Sequence, residues 1–323
     1  MRAVVVENPG GVEALEVVDR PVPTPGPGEV LIKIAAAGVN RADLLQRRGF
    51  YNPPSGATDV LGLECSGEIA SVGEGVTDFP CGTQVCALLS GGGYAEYVTV
   101  PSGQVAAVPR GVSLVEAGAL MEVGATVWSN VFMMGKLQGG ETVLLHGGSS
   151  GIGSMGIQLC KAFGATVVTT VGTPEKAEFC RDLGADLVIN YRTQDFVEVM
   201  REHDLAADVI LDIIGAKYLQ SNISALATAG RLVVIGMQGG AKAELDLGAL
   251  LVKRAAVMAT SLRARPTAEK AAIVSAMVAQ IWPLVAEQTV RPIVHTTYQL
   301  EQVREAHQVL EDSSHSGKVL LTL

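Results

Sequence analysis

The sequence predicts an α/β protein: a doubly wound parallel sheet set into a second, β-rich domain. Three observations carry this. The chain has 323 residues, more than one ordinary hydrophobic core takes, so two domains are expected. Through its middle, six short apolar runs alternate with helical stretches, and such runs are parallel strands buried on both faces. A glycine-rich turn separates the first of those runs from the helix after it.

The elements follow in order. Residues 1–7 read as a strand, too short for the apolar core of a signal peptide and closed at once by a charge. Residues 29–34 form a strand after the proline- and glycine-rich loop at 21–28. Residues 67–72 and 95–100 are two more, so the first hundred residues are β-rich. The six middle strands are Thr142–His146, Thr166–Val171, Leu187–Asn190, and residues 209–214, 231–235 and 256–260. Six strands with helical crossovers make a Rossmann sheet. The last sixty or so residues start with a helix at 268–279 and end in a strand at 318–323. That tail is expected to pack back on the first domain. The division is then 1–123 with 263–323 for the β-rich domain, and 124–262 for the inserted sheet. No repeat or low-complexity segment is visible, and no stretch is expected to reach the length of a membrane helix.

Nearly half of the residues are hydrophobic, 48%, which supplies a large core. The net charge of −9 argues against a nucleic-acid partner, whose phosphates need neutralising cations. The five cysteines, Cys65, Cys81, Cys86, Cys160 and Cys180, are odd in number and irregular in spacing. Reduced thiols and a cytoplasmic setting are expected.

The sharpest local signal is His146-Gly-Gly-Ser-Ser-Gly-Ile-Gly-Ser-Met-Gly156, in which Gly151, Gly153 and Gly156 form GxGxxG. A bare GxGxxG is weak, but here a strand precedes it and a helix follows. Ser150, Gly151, Ile152 and Gly153 are expected on a dinucleotide pyrophosphate, held by free N–H groups and the helix dipole. The bland alternative is a glycine-rich turn with no ligand. The second strand ends in Val171-Gly-Thr-Pro-Glu-Lys176. An NAD-binding strand commonly carries an acid at its tip for the ribose 2′-OH. Here Gly172, Thr173 and Lys176 replace it, which suits a 2′-phosphate and predicts NADPH. Glu175 is expected to point away, Tyr191 to flank the adenine or reach the phosphate, and Lys176 has a bland alternative as a solvated helix charge. His146 is expected to be structural.

At this point the chain resembles the medium-chain dehydrogenase/reductase superfamily and, within it, the zeta-crystallin-like NADPH:quinone oxidoreductases. The motifs include Gly38-Val-Asn-Arg-Ala-Asp43, Leu61-Gly-Leu-Glu64, Ala87-Leu-Leu-Ser-Gly-Gly-Gly93 and the two cofactor segments. Residues 40–44, Tyr51-Asn-Pro-Pro54 and the triple glycine resemble the tumour-suppressor-induced quinone reductase branch. The resemblance implies a GroES-like catalytic domain around the Rossmann insert. It places Met237, Gln238, Ser261 and Leu262 along the nicotinamide and pyrophosphate crevice, and Lys318 on the pyrophosphate. It also departs from the zinc alcohol dehydrogenases. Asn40 and Leu63 stand where those enzymes place Cys and His ligands, and Cys81 and Cys86 are too few for a structural site, so no metal is expected.

Without a metal to stabilise an alkoxide, the substrate should accept hydride unaided, as a quinone or conjugated enone does. The candidate catalytic residues are Asn40, on the carboxamide or a substrate oxygen, and Tyr51, stacking on the acceptor or donating a proton. A turn-forming Asn and a packed loop aromatic are the alternatives. The rival functions are an NADPH-dependent enoyl or alkenal reductase and a non-enzymatic NADPH- or RNA-binding protein. The apolar edge strand at 256–260 predicts a homodimer or a dimer-based tetramer, with no membrane partner.

Overall fold

The computed structural model describes residues 1–323, and its amino-terminal third is built from antiparallel strands, several of them, such as β-branched and alanine-rich Glu29–Val39, buried along most of their length. Its strands are β1 (Arg2–Val6), β2 (Leu15–Asp19), β3 (Glu29–Val39), β4 (Glu64–Val72), β5 (Gln84–Leu88), β6 (Tyr97–Pro101) and β7 (Val105–Ala107), with helix α1 (Arg41–Arg47) between β3 and β4. After α2 (Met121–Val127) strands and helices alternate: β8 (Thr142–His146), α3 (Gly151–Ala162), β9 (Thr166–Val171), α4 (Pro174–Asp182), β10 (Leu187–Asn190), α5 (Phe196–Glu202) and β11 (Ala207–Asp212). Then come α6 (Leu219–Ala225), β12 (Leu226–Val234), α7 (Leu247–Lys253) and β13 (Ala256–Ala259). The chain ends with α8 (Thr267–Ala286), β14 (Val294–Gln299), α9 (Val303–Glu311) and β15 (Lys318–Thr322). It divides into unit 1, Met1–Ala125 with Leu262–Gln288 and Pro292–Leu323, and unit 2, Thr126–Ser261 with Thr289–Arg291.

Unit 1 is built on β3. This long strand pairs antiparallel with β4, β6 and β15, in the sheet order β14-β15-β3-β4-β5-β7. Ile32, Ile34, Leu44, Leu61, Ile69, Tyr94 and Leu321 share its core, each full burial contributing about 1.5–3 kcal/mol. Helix α8 runs seven residues past its expected end at 279, through Pro283. Ile281 and Val285, buried on either side, offset the donor that the proline removes. At twenty residues α8 is long and apolar enough to cross a membrane, which corrects the expectation that no stretch reaches that length. Its apolarity has a local cause: Ile273, Val274, Met277, Ile281 and Val285 form a buried stripe at helical spacing, and the helix packs on β7 and the turn before it.

Unit 2 is a six-stranded, all-parallel sheet in the order β10-β9-β8-β11-β12-β13. That is the doubly wound order, with its reversal between β8 and β11. Leu144, Val168, Ile189, Ile210 and Leu232, one from each of five strands, share one core cluster. The fourth strand stops at Asp212 rather than running on to 214. The Asp212 carboxylate accepts the N–H of Ile214 at 2.7 Å and of Gly215 at 3.0 Å, so the chain turns despite two more apolar residues.

Candidate active site

In unit 2 the turn after β8 is folded against its own sheet. Gly147, at φ 78°, and Gly148 both donate to Thr170 O, at 3.1 and 3.0 Å. A Cβ on Gly148 would lie 2.1 Å from Thr169 Oγ1, and one on Gly153 only 2.4 Å from Gly147 O. Helix and turn touch because both positions lack a side chain. Ser150 caps α3, its Oγ accepting from Gly153 N at 3.0 Å. The N–H groups of Gly151 and Ile152 make no bond within the chain. A twelve-residue helix thus presents open donors and its positive dipole end beside a turn opened by two glycines. These residues fit a dinucleotide pyrophosphate. His146, at the end of β8, contacts Thr170 Oγ1 at 3.1 Å and Asn222 Oδ1 at 2.7 Å. Burial pushes its pKa down to about 4, so it is a neutral structural group.

The tip of β9 is the second part of this site. A Cβ on Gly172 would lie 2.7 Å from the Tyr191 hydroxyl, so glycine lets that ring close over the tip, and Arg192 Nε lies at an ordinary contact distance of 3.4 Å. Thr173 caps α4, accepting from Lys176 N at 3.3 Å. Burial, then the charge of Arg192, lowers the pKa of the half-buried Lys176. Two cations therefore share this tip, and Glu175 lies exposed in the first turn of α4. Sequence reasoning missed Arg192; its signal was a basic residue directly after Tyr191 at the end of β10.

Met237 and Gln238 lie in the loop after β12, which is stitched to the loop after β11. Gly239 N donates to Ile214 O at 2.7 Å and Gln238 N to Ile213 O at 3.3 Å. A Cβ on Gly215 would meet Gly240 O at 2.8 Å. Both loops are at the carboxyl end of the parallel strands, where such sheets bind ligands. Met237 is 65% exposed. Ser261 ends the first segment of unit 2 and Leu262 opens the next segment of unit 1.

In unit 1 the end of β3 delivers Asn40 into a buried polar cluster. Its Nδ2 donates to Glu64 Oε1 at 3.1 Å and to Gly38 O at 3.2 Å, while its Oδ1 accepts from Lys318 Nζ at 2.6 Å. Lys318 also pairs with Glu64 at 2.6 Å, and Glu64 Oε2 accepts from Glu122 N at 2.9 Å. Gly38 is required here, since a Cβ would lie 2.2 Å from Glu64 Oε1. Lys318, expected on a pyrophosphate, is engaged within unit 1. Its ammonium is buried and held by Glu64, Asn40 and Val39 O within unit 1. Asn40 likewise spends both amide donors inside the cluster.

Asp43 accepts from Asn40 N at 2.8 Å, Tyr94 Oη at 3.0 Å and Gly62 N at 3.2 Å. Burial pushes its carboxyl up to about 6. Tyr51 lies in the stiff loop before Pro53 and Pro54. Its ring is 5.3 Å from the Arg263 guanidinium, whose Nη1 donates to Tyr51 O at 3.1 Å. The hydroxyl makes no hydrogen bond, and burial raises its pKa against the opposing charge of Arg263. Phe50 beside it is 78% exposed. Sequence reasoning did not place Glu64, Asp43, Tyr94 or Arg263 in this region's polar framework, because every one of these contacts except that of Asn40 N with Asp43 is distant in sequence.

Fold and sites together define a nucleotide-dependent oxidoreductase. A family model described as "Alcohol dehydrogenase GroES-like domain" matches residues 26–110, and one described as "Zinc-binding dehydrogenase" matches 151–278. The rat protein named "Quinone oxidoreductase" is 30% identical over 100% of this chain and 98% of its own length. The human "Synaptic vesicle membrane protein VAT-1 homolog" is 29% identical over 99% of this chain and 86% of its own. Among solved structures, Escherichia coli quinone oxidoreductase complexed with NADPH superposes with a TM-score of 0.90 at 28% identity, covering 100% of both chains. An NAD-dependent alcohol dehydrogenase does so at 0.88 and 31%, also covering both. The chain belongs to the medium-chain dehydrogenase/reductase superfamily, with quinone oxidoreductases among its homologues.

A superfamily that includes zinc enzymes raises the question of a metal. Asn40 offers a carboxamide already engaged by Lys318 and Glu64, and Leu63 is a buried hydrocarbon. No group of three or more His, Cys, Asp or Glu side chains is placed to hold an ion. Cys81 is exposed while Cys86 is buried against Ala106 O. These donors do not fit zinc, which takes thiolate, imidazole or free carboxylate.

Proposed function

We propose that the protein is an NADPH:quinone oxidoreductase that works without zinc. The observation that carries this reading is the tip of β9. Gly172 leaves no carboxylate to repel a 2′-phosphate, and Lys176, Arg192 and the Tyr191 hydroxyl converge on it. Lys176 and Arg192 supply charge for that phosphate, Tyr191 a hydroxyl or an adenine-stacking face, and the α3 amides hold the pyrophosphate. Bound NADPH supplies hydride. The rest of the chemistry is positioning: an acceptor whose new charge delocalises onto oxygen needs no Lewis acid. Tyr51, with an unengaged hydroxyl, is the group that meets the acceptor. Asn40 acts through Glu64 and Lys318 as a fixed part of the framework.

An enal in place of a quinone is the second reading, favoured by the same open hydroxyl and the same metal-free donor set. The test is an acceptor screen that follows NADPH oxidation with o-quinones, p-quinones and enals. Turnover of quinones well above enals, unchanged by chelator, supports the proposal. Turnover of enals alone, or activity restored only by added zinc, overturns it. The five unpaired thiols suit a reducing cytoplasm, and a homodimer or a dimer-based tetramer is the proposed assembly.

A further inference from the structure

Two cations are buried behind Tyr51 without an anion to match them. Arg263 is 4% exposed; its Nε donates to Ser90 O at 2.8 Å and its Nη1 to Tyr51 O, while Nη2 is buried with no partner. Lys270, 5% exposed, donates to Ser90 Oγ at 2.5 Å and to Arg263 O at 3.4 Å. Every one of these acceptors is neutral. Lys270 also stands in the first turn of α8, where the positive dipole end adds to its charge instead of opposing it. Asp43 is the acid whose field reaches Arg263, and it is spent on Asn40, Gly62 and Tyr94. Asp43 and Glu122 both act on Tyr51. Unmatched buried charge is destabilising, and it collects where a site uses it.

We propose that Arg263, backed by Lys270, is a positioning residue that fixes Tyr51 and supplies positive potential for the oxyanion formed when a conjugated carbonyl is reduced. The inference rests on the quinone-reductase reading. Hydride from NADPH forms the new bond to the acceptor, and the carbonyl π pair moves to oxygen. That oxygen takes a proton from the Tyr51 hydroxyl, which water replenishes, and the cofactor leaves as NADP⁺. Arg263 touches none of the reacting atoms. It holds the ring through Tyr51 O and lowers the energy of negative charge beyond it.

The probe is 4-nitrophenol, whose absorbance reports its ionised fraction, titrated with the protein in the presence of NADP⁺. The bound phenol is expected to ionise about one unit or more below its value in water. Arg263→Met should abolish that shift and Arg263→Lys should keep part of it. Lys270→Met should reduce it without lowering the melting temperature, because an unmatched charge is gone. A merely structural pair would lose melting temperature and leave the phenol unaffected. Absence of probe binding, an unshifted phenol in the wild type, or an equal shift in Arg263→Met and Lys270→Met overturns the inference. Quinone turnover with an unshifted phenol sinks this inference alone. A shifted phenol that Arg263→Met abolishes, with no quinone turnover, supports the electropositive site and sinks the quinone reading.

Discussion

On the proposed NADPH reading, single residues set the cofactor preference, and others hold the buried framework together. At the tip of β9, Lys176→Ala and Arg192→Ala should each weaken NADPH binding by about 1–3 kcal/mol, the scale of a charge-assisted hydrogen bond. NADH, lacking the 2′-phosphate, should lose little. Equal losses for both cofactors, measured by fluorescence titration, would remove these cations from the proposed phosphate site. In the other unit, Lys318→Met strands the Glu64 carboxylate, which is 0% exposed. The expected cost is about 3–5 kcal/mol, read from urea unfolding, and a second change, Glu64→Gln, should recover part of it. A midpoint that Lys318→Met leaves in place would show that this ion pair contributes nothing. The place of Lys176 beside the tip of β9 was legible in the sequence because it lies in the same local segment as that strand. The pairing of Lys318 with Glu64 was not, because no periodic pattern relates the last strand to the fourth.

At the scale of elements, the strands of unit 2 were legible and the reason is local. β8 and β10 are short, mainly apolar runs and β9 is built only of β-branched valine and threonine, each giving way to a turn, so pattern and pairing end together. β11 fails that rule, because a side-chain cap at Asp212 overrides two further isoleucines. α8 fails it from the other side: burial carries the helix through a proline that reads as a stop. The turn into α3 offers a direct test. Gly153→Ala puts a methyl group into backbone, Gly147 O at 2.4 Å and Gly148 Cα at 2.5 Å. Gly156→Ala meets only Leu145 Cδ1, at 3.0 Å, which a side-chain shift relieves. Gly153→Ala should cost about 1–3 kcal/mol of stability and erase the thermal shift given by NADPH. Gly156→Ala should keep that shift. Matching behaviour of the two variants would show that close approach at Gly153 does not shape the loop.

For the whole molecule, acid should loosen the fold. His146 and His307 ionise in the folded chain at about 4 and about 3, below their ordinary 6.5, because burial disfavours the charged ring. The unfolded chain therefore binds more protons as pH falls below about 6.5, and stability is lost through that range. Asp43, raised to about 6 from 3.8, opposes this, since the folded state holds its proton more tightly. Asp212, also raised by burial, opposes it too, but the two histidines take up the larger part of this range, so the melting temperature should fall between about pH 7 and about pH 4.5. His146→Gln should flatten part of the slope. A melting temperature that rises over that range contradicts the assignment.

Assembly belongs to the same scale and follows from the outer edge of unit 2. β13 pairs only with β12, so its other edge carries open N–H and C=O groups. Its residues are largely exposed, Val257 among them, and α7 beside it exposes Leu247, Leu251 and Val252, at 67%, 78% and 84%. Leu247, Leu250 and Leu251 lie with Arg254 and Ala255 on a shallow, open patch. A short apolar edge beside an apolar helix face is a template for another strand, and a second copy of β13 about a two-fold axis supplies one that matches it. The parallel sheet would then continue across both chains with an antiparallel pair at its centre. Leu251→Asp with Val252→Asp places charge on the helix face and leaves both units' cores untouched, since neither residue is buried. Sedimentation velocity should find a dimer or larger for the wild type at micromolar concentration and a monomer for the variant, with the melting temperature of the variant lower because the edge is bare. A wild-type monomer would refute the edge-strand assembly, and so would a variant that sediments as the wild type does.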